Sequence, residues 1–321
     1  MALLVREAVG ESAQVCEFVV ALPAHLAAFG TSVRATLTGR DAGPVAVVIG
    51  GISATRFACN APDGGAGWWP GLVGEGAAVD PCERAVLAVD FAADESGRAA
   101  PSTQDQAEVV LAAMDAAGIA SAMLVGASYG GMVALSLAAM HPARVERLVV
   151  ISADARPHPM ATAIRELQRR TVALGLANGC GAEALAIARG WAMLSYRTGE
   201  EFGERFVGGI ASGDPCATSA PGAYLRHCGE RFTQLMSPGR FLSLSASIDR
   251  HEVDPAQVTA PALLIGAEGD QLIPPSQMRA LAEALGGPAA LHIRASRYGH
   301  DMFLKDATEI GELVAPFLGA A

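Results

Sequence analysis

The sequence predicts an α/β fold: a mostly parallel sheet flanked by helices, with a helical cap inserted in its second half. Three observations carry this. Short runs that are apolar throughout alternate along the chain with helical patterns, as strands covered by helices on both faces must. The stretch Gly126-Ala127-Ser128-Tyr129-Gly130-Gly131 joins one such run, 122–125, to a small-residue helical pattern over 132–140. Residues 156–255 lack strand patterns altogether.

In chain order, 15–22 and 32–38 read as an N-terminal antiparallel pair. Val45–Ile49, Ala85–Val89, 122–125 and 148–151 follow as central strands, short and rich in Val, Leu and Ala,. Between them 103–117 has helical periodicity. Ser102 stands as its N-cap, Asp105 completes a capping pattern, and Gly118 closes it,. The core pattern resumes in strands at 262–265 and 291–294 and helices at 276–285 and 308–318. The body is therefore expected over 1–155 and 256–321, and the cap over 156–255. Within the cap, 161–175, 181–196, 222–236 and 241–248 read as helices joined by Gly- and Pro-containing loops,.

Composition bounds the function. At 321 residues, 51% hydrophobic and 17% charged, the chain can bury a large core,. No apolar run reaches the roughly 18 residues needed to span a bilayer, and Arg6 and Glu7 cut short the apolar start. A cytoplasmic location away from any membrane is the expectation. The net charge of −10 and pI near 5.2 argue against a nucleic-acid partner,. Cys16, Cys59, Cys82, Cys180, Cys216 and Cys228 show no paired spacing. A zinc site, or any metal site, and a disulfide framework are not indicated, and inert thiols are expected.

The context of Ser128 is what a nucleophile elbow requires: a serine on a strained strand-to-helix turn, with glycines where a Cβ would strike the neighbouring chain. A serine nucleophile needs a base, and the base an orienting acid. Both follow in order. His300 lies in Tyr298-Gly299-His300-Asp301 after the last strand, and Asp270 lies in a Gly-loosened loop after the 262–265 strand. Both fall at carboxyl ends of parallel strands, where open α/β sheets bind ligands. Asp154 and Glu268 are alternative acids on the same geometric ground. An oxyanion needs two backbone amides, one from the residue after the nucleophile, Tyr129, and one from the loop Gly50-Gly51-Ile52-Ser53, where Ile52 is the expected donor,. Trp68 and Trp69 read as packing residues or as part of an acyl pocket.

Taken together, the elbow, Gly67-Trp68-Trp69 with Leu72-Val73-Gly74, Tyr196-Arg197-Thr198 with Phe202 and Arg205-Phe206, and the ending Tyr298-Gly299-His300-Asp301 with Phe303 and Leu304 resemble the homoserine O-acyltransferases of the α/β-hydrolase fold. The resemblance runs from about Val45 to Leu318. It implies that Ser128, Asp270 and His300 form a catalytic triad, and that the cap narrows the site to a tunnel. By position it also places the grip on the acceptor's α-carboxylate on Arg169 and on its α-ammonium on Asp301. A zwitterionic acceptor does need one fixed cation and one fixed anion.

The implied reaction is ping-pong acyl transfer from acyl-CoA to homoserine, in methionine-type amino-acid biosynthesis. CoA is then a substrate, and no cofactor is called for. The implied partners are these small molecules and a second copy of the chain, in a homodimer through the cap helices. Three positions depart from the acetyltransferase pattern: Tyr129 stands where methionine is usual, Val133 replaces glutamine and Arg165 replaces asparagine. An arginine at 165 offers a cation to the distal carboxylate of a succinyl group, so a succinyl donor stands beside acetyl. Serine as acceptor, a carboxylesterase-type hydrolase using water, and a non-catalytic relative are the competing readings.

Overall fold

The computed structural model describes residues 5–9, 13–40, 43–60, 65–207, 213–214 and 217–319; Cys216 lies outside them. The strands are β1 (Val5–Val9), β2 (Ala13–Ala21), β3 (Ser32–Gly39), β4 (Val45–Ile49), β5 (Ala85–Val89), β6 (Ala122–Ala127), β7 (Val145–Ile151), β8 (Ala262–Ala267) and β9 (Ala289–Arg294). They form one sheet in the order β1-β2-β3-β5-β4-β6-β7-β8-β9. From β5 to β9 every pairing is parallel, while β1, β2 and β3 join antiparallel. The expected antiparallel pair is therefore a three-strand meander. Its outermost strand includes Arg6 and Glu7, which broke the apolar pattern in the sequence.

The pleat explains why the central strands are apolar throughout. Val47, Ile49, Leu124, Leu148, Val150 and Leu264 face one side, against Val109, Val110 and Met114 of α1 (Thr103–Ala116), α2 (Tyr129–Met140), and Met278 and Leu281 of α8 (Pro275–Ala284). Their neighbours Ala46, Val48, Met123, Val125, Val149 and Ile265 face the other, against Trp69, Leu72 and Val73, Phe303 of α9 (Met302–Lys305), and Ile310 and Val314 of α10 (Ala307–Gly319). Alternate residues point to opposite faces, and both faces are covered. The capping box at the start of α1 is present, with Ser102 accepting from the Asp105 amide and Asp105 accepting from the Ser102 amide,.

Between β7 and β8 the described regular elements are helical: α3 (Pro159–Ala177), α4 (Gly181–Tyr196), α5 (Gly199–Arg205), α6 (Ala220–Thr233) and α7 (Pro238–Asp249). Two starts differ from the sequence expectation for one reason. Ser219 and Ser237 cap α6 and α7, accepting from the amides of Gly222 and Arg240, with proline in the first turn of each. A proline there costs no hydrogen bond, so the helix begins before the apolar periodicity does. Helix α5 was not anticipated, because Gly199 and Gly203 mask a short turn capped by Thr198.

Candidate active site

Ser128 stands between β6 and α2 at φ 54°, ψ −122°, one of only two non-glycine residues with positive φ among those described. Such a backbone is costly and persists where its surroundings dictate it. The surroundings are the glycines. A Cβ on Gly130 would lie 2.1 Å from the Ile49 carbonyl oxygen, and one on Gly126 would lie 2.5 Å from that of Gly130. The turn can close only if both positions lack a side chain, which is the reason the sequence repeats glycine there.

His300 and Asp270 complete a hydrogen-bonded chain with this serine. The Ser128 Oγ to His300 Nε2 distance is 2.8 Å, and His300 Nδ1 lies 2.8 Å from Asp270 Oδ2. A carboxylate only accepts, so Nδ1 carries a proton and neutral Nε2 is free to take one from the hydroxyl. The other Asp270 oxygen, Oδ1, accepts from the amides of Leu272 and Ile273 at 2.9 and 3.0 Å, which fixes the carboxylate plane. Gly299 at φ 56° makes the tight turn before the base, where a Cβ would meet the Tyr196 carbonyl oxygen at 2.9 Å. Burial pulls the His300 pKa down as the largest single influence. The charge and hydrogen bond of Asp270, with the nearby charge of Asp301, outweigh it, and the net shift is upward,.

The alternative acids lie elsewhere. Asp154 accepts from Gln277 Nε2 at 2.7 Å beside a separate cleft, and Glu268 points to solvent. The amides of Tyr129 and Ile52 donate to no described residue; Tyr129 lines the cavity over Ser128, whereas Ile52 lines a separate cleft beside it,. Tyr129 itself is buried, its hydroxyl 2.5 Å from Ser247 Oγ and its ring edge-on to Phe91. It therefore offers the cavity no exposed phenol. Trp69 is buried, donating to the Phe303 carbonyl at 2.7 Å, while half-buried Trp68 stacks on it and borders a neighbouring cleft.

A small enclosed cavity sits over Ser128 and His300, walled by Met132 and Ser152 from below and by Ile164, Arg165, Gln168 and Tyr196 from α3 and α4. Arg165 and Arg169 both bind Asp249 at the end of α7, at 2.6 Å each. They differ beyond that. Arg165 reaches the cavity wall, its Nη1 without a partner among the described residues, whereas Arg169 turns to the carbonyl and hydroxyl of Ser245, at 3.0 and 3.2 Å, and does not line the cavity. The position expected to grip an acceptor carboxylate is thus occupied by an internal helix-to-helix tie.

Asp301 opens onto the neighbouring cleft and meets Arg197 Nε at 2.8 Å, a charge contact whose N–H is poorly aligned for a hydrogen bond. In the same cleft Arg189 has no carboxylate partner among the described residues. Its guanidinium lies 5.3 Å from the centre of the Tyr196 ring, which in turn sits 5.6 Å from the His300 ring. Arg189 precedes Tyr196 by two helical turns and so shares its face of α4, a signal present in the sequence but not used. Ser152 was missed as well. It is the second non-glycine residue at positive φ, wholly buried on the cavity wall, with an unpaired hydroxyl.

Comparison with known proteins agrees with this geometry. The α/β-hydrolase fold family matches residues 57–177. The chain is 41% identical over 306 residues to the homoserine O-succinyltransferase of Xanthomonas campestris, covering 94% of this chain and 83% of that one. It is 33% identical to the homoserine O-acetyltransferase of Deinococcus radiodurans, over 78% of this chain and 77% of the relative. The crystal structure of homoserine O-acetyltransferase from Bacillus anthracis superposes with a TM-score of 0.82 at 17% identity, covering 96% and 98% of the two chains. At that identity the superposition speaks for the fold alone, and the sequence relatives carry the rest. With its elbow, base and acid in one hydrogen-bonded line beneath inserted helices, this chain is an enzyme belonging to the homoserine O-acyltransferase family.

Proposed function

We propose that the protein transfers a succinyl group from its CoA thioester to the side-chain hydroxyl of L-homoserine. The observation that carries the donor assignment is Arg165, a cation on the wall of the small cavity that also holds Ser128 and His300, with one nitrogen that has no partner among the described residues. A terminal carboxylate buried there without a partner would cost several kcal/mol. Arg165 supplies the partner, and the unpaired Ser152 hydroxyl and the Gln168 amide line the same wall. The succinyl specificity of the Xanthomonas relative points the same way.

In this reading His300 Nε2 takes the Ser128 proton as Oγ attacks the thioester carbonyl, and the amides of Tyr129 and Ile52 hold the oxyanion. The C–S bond breaks and His300 gives its proton to the leaving thiolate. Homoserine then loses its hydroxyl proton to His300 and attacks the acyl ester, and Ser128 recovers the proton as it departs. The reaction calls for no bound metal or organic cofactor. The acceptor zwitterion fits between Arg189, a cation without a carboxylate partner among the described residues, and Asp301, the acid of the adjoining cleft. The raised pKa of His300 moves the acid limb of acylation upward from where an ordinary imidazole would place it, because the base must be neutral,. The outer faces of α4 and α6, where Ile187, Trp191 and Leu194 stand exposed around an open groove, fit a homodimer through the inserted helices,. Trp191→Glu is expected to yield monomers in sedimentation analysis.

Thiol release tests the reading. Succinyl-CoA and acetyl-CoA are supplied with and without homoserine, with serine as the alternative acceptor. Release that depends on homoserine and favours succinyl-CoA is expected. Equal release without any acceptor would make the protein a hydrolase.

A further inference from the structure

The cleft that opens beside Asp301 has a volume of about 640 Å³, and its rim is cationic. The chain carries a net charge of −10 and a single lysine, Lys305. That lysine stands exposed on this rim, at the end of α9 on the sheet body. Facing it from the inserted helices are Arg205 of α5, and His227 and Arg231 of α6, all exposed. Lys305 and Arg231 have no acidic partner among the described residues. Arg205 gives one nitrogen to Glu201 at 2.9 Å and lays its guanidinium 4.3 Å from the centre of the Tyr224 ring.

The floor of the cleft is different. Met193 and Phe232 are buried there, with Arg197 and Asp301 paired to each other and Arg189 beside Tyr196. Lys305 and Arg231 bring like charges together from two elements with no acidic partner among the described residues, and such repulsion lowers stability,. An anion that visits the rim would relieve it. The rim is concave, and Met193 and Phe232 give the floor an apolar strip beside the Arg197–Asp301 pair, so the visitor has a phosphorylated end and an uncharged arm. One aromatic layer, Tyr196, separates the floor from His300.

The geometry points to this rim as the binding site for the phosphates of the CoA moiety, with the pantetheine arm laid along the floor toward Ser128. The inference rests on the acyl-CoA reading of the site. It also gives the cleft two successive occupants, since CoA departs before the acceptor takes its place between Arg189 and Asp301.

Calorimetric titration of the intact protein with CoA tests it. Arg231→Ala and Lys305→Ala are each expected to weaken binding about fivefold, the scale of one exposed charge contact, and the double variant about 25-fold. A parallel assay compares succinyl-CoA with the succinyl thioester of N-acetylcysteamine, which lacks the phosphates. The kcat/KM ratio of the first donor to the second is expected to fall about tenfold or more in the double variant. Unchanged CoA affinity in the double variant overturns the site. So does wild-type binding of inorganic phosphate or ADP as tight as that of CoA, which would make the rim a general anion surface. If the short thioester acylates Ser128 but CoA does not bind, this inference alone fails. If neither thioester acylates Ser128 and CoA does not bind, the acyl-CoA reading fails with it.

Discussion

The sheet body and the inserted helices bury their apolar residues differently. Of the twelve large apolar side chains exposed among the described residues, nine belong to the insertion, Leu167, Leu174, Ile187 and Trp191 among them. The body fills a core on each face of its sheet; the inserted helices join one of them, through Val172, Leu185, Phe232, Phe241 and Leu244, and take no part in the other. The insertion spends one face on the site, through Ile164, Arg165, Gln168 and Tyr196, and leaves another to solvent. Ser128, His300 and Asp270 all stand on the body; in the proposed reading the insertion supplies the donor's cation, Arg165, while the acceptor is held from both regions, by Arg189 and Asp301,.

The largest expected effect breaks the body. Ser128→Ala removes the nucleophile and is expected to cost 10³- to 10⁶-fold in rate, on the order seen when one member of a triad is lost. Mass spectrometry after mixing with acyl-CoA should then find no acyl adduct; an adduct on another residue contradicts the assignment.

The second breaks the seam between the two regions. His251, just past α7, is buried against the body, its ring nitrogens 2.7 Å from Thr103 Oγ1 and 2.9 Å from the Asp154 carbonyl. Burial pulls its pKa down to about 4, and burial pushes the Asp154 carboxyl up to about 6. The two oppose each other. His251 loses stability for the fold as pH falls from about 6.5 to 4, since the unfolded chain binds its proton first. Asp154 restores stability as pH falls from about 6 toward 4, since the folded chain binds that proton first. Each amounts to about 2 to 3 kcal/mol. Asp154→Asn removes the compensation, so urea denaturation should show the variant losing about 2 kcal/mol more than wild type between pH 7 and pH 4.5. Parallel stability curves would contradict the opposed pair.

How far the sequence could be read follows the same division. The central strands, α1 with its Ser102–Asp105 box, the elbow and the order of Ser128, Asp270 and His300 were legible, because each depends on local chemistry: a two-faced apolar run, a cap, a turn that needs glycine. The edge strand β1 was not, since pairing with β2 rather than its own pattern makes Val5–Val9 a strand. Arg165 and Arg169 look equivalent in sequence, one helical turn apart on α3. Only the position of Asp249, 80 residues beyond Arg169, shows that the second is held away from the cavity. Arg189 is recognised by having no carboxylate partner among the described residues, and a missing partner is visible only in three dimensions.

A third prediction sharpens the acceptor side. Arg189→Ala is expected to slow transfer to homoserine about 30-fold, the loss of one charge-assisted contact, while acylation of Ser128 in a single turnover changes little. Arg169→Ala should affect the two steps alike, through the packing of α3 on α7. If Arg169→Ala selectively slows transfer and Arg189→Ala does not, the two roles must be exchanged.

The donor side carries the central claim, that an inserted helix sets which acyl group the body's chemistry moves. The most direct measurement is the ratio of kcat/KM for succinyl-CoA to that for acetyl-CoA, in the wild type and in Arg165→Asn. The ratio should exceed one in the wild type and fall about tenfold or more in the variant, the scale of a lost charge-assisted contact. A wild-type preference for acetyl-CoA, or a ratio that the substitution leaves unchanged, would contradict it and leave Arg165 as no more than a tie between α3 and Asp249.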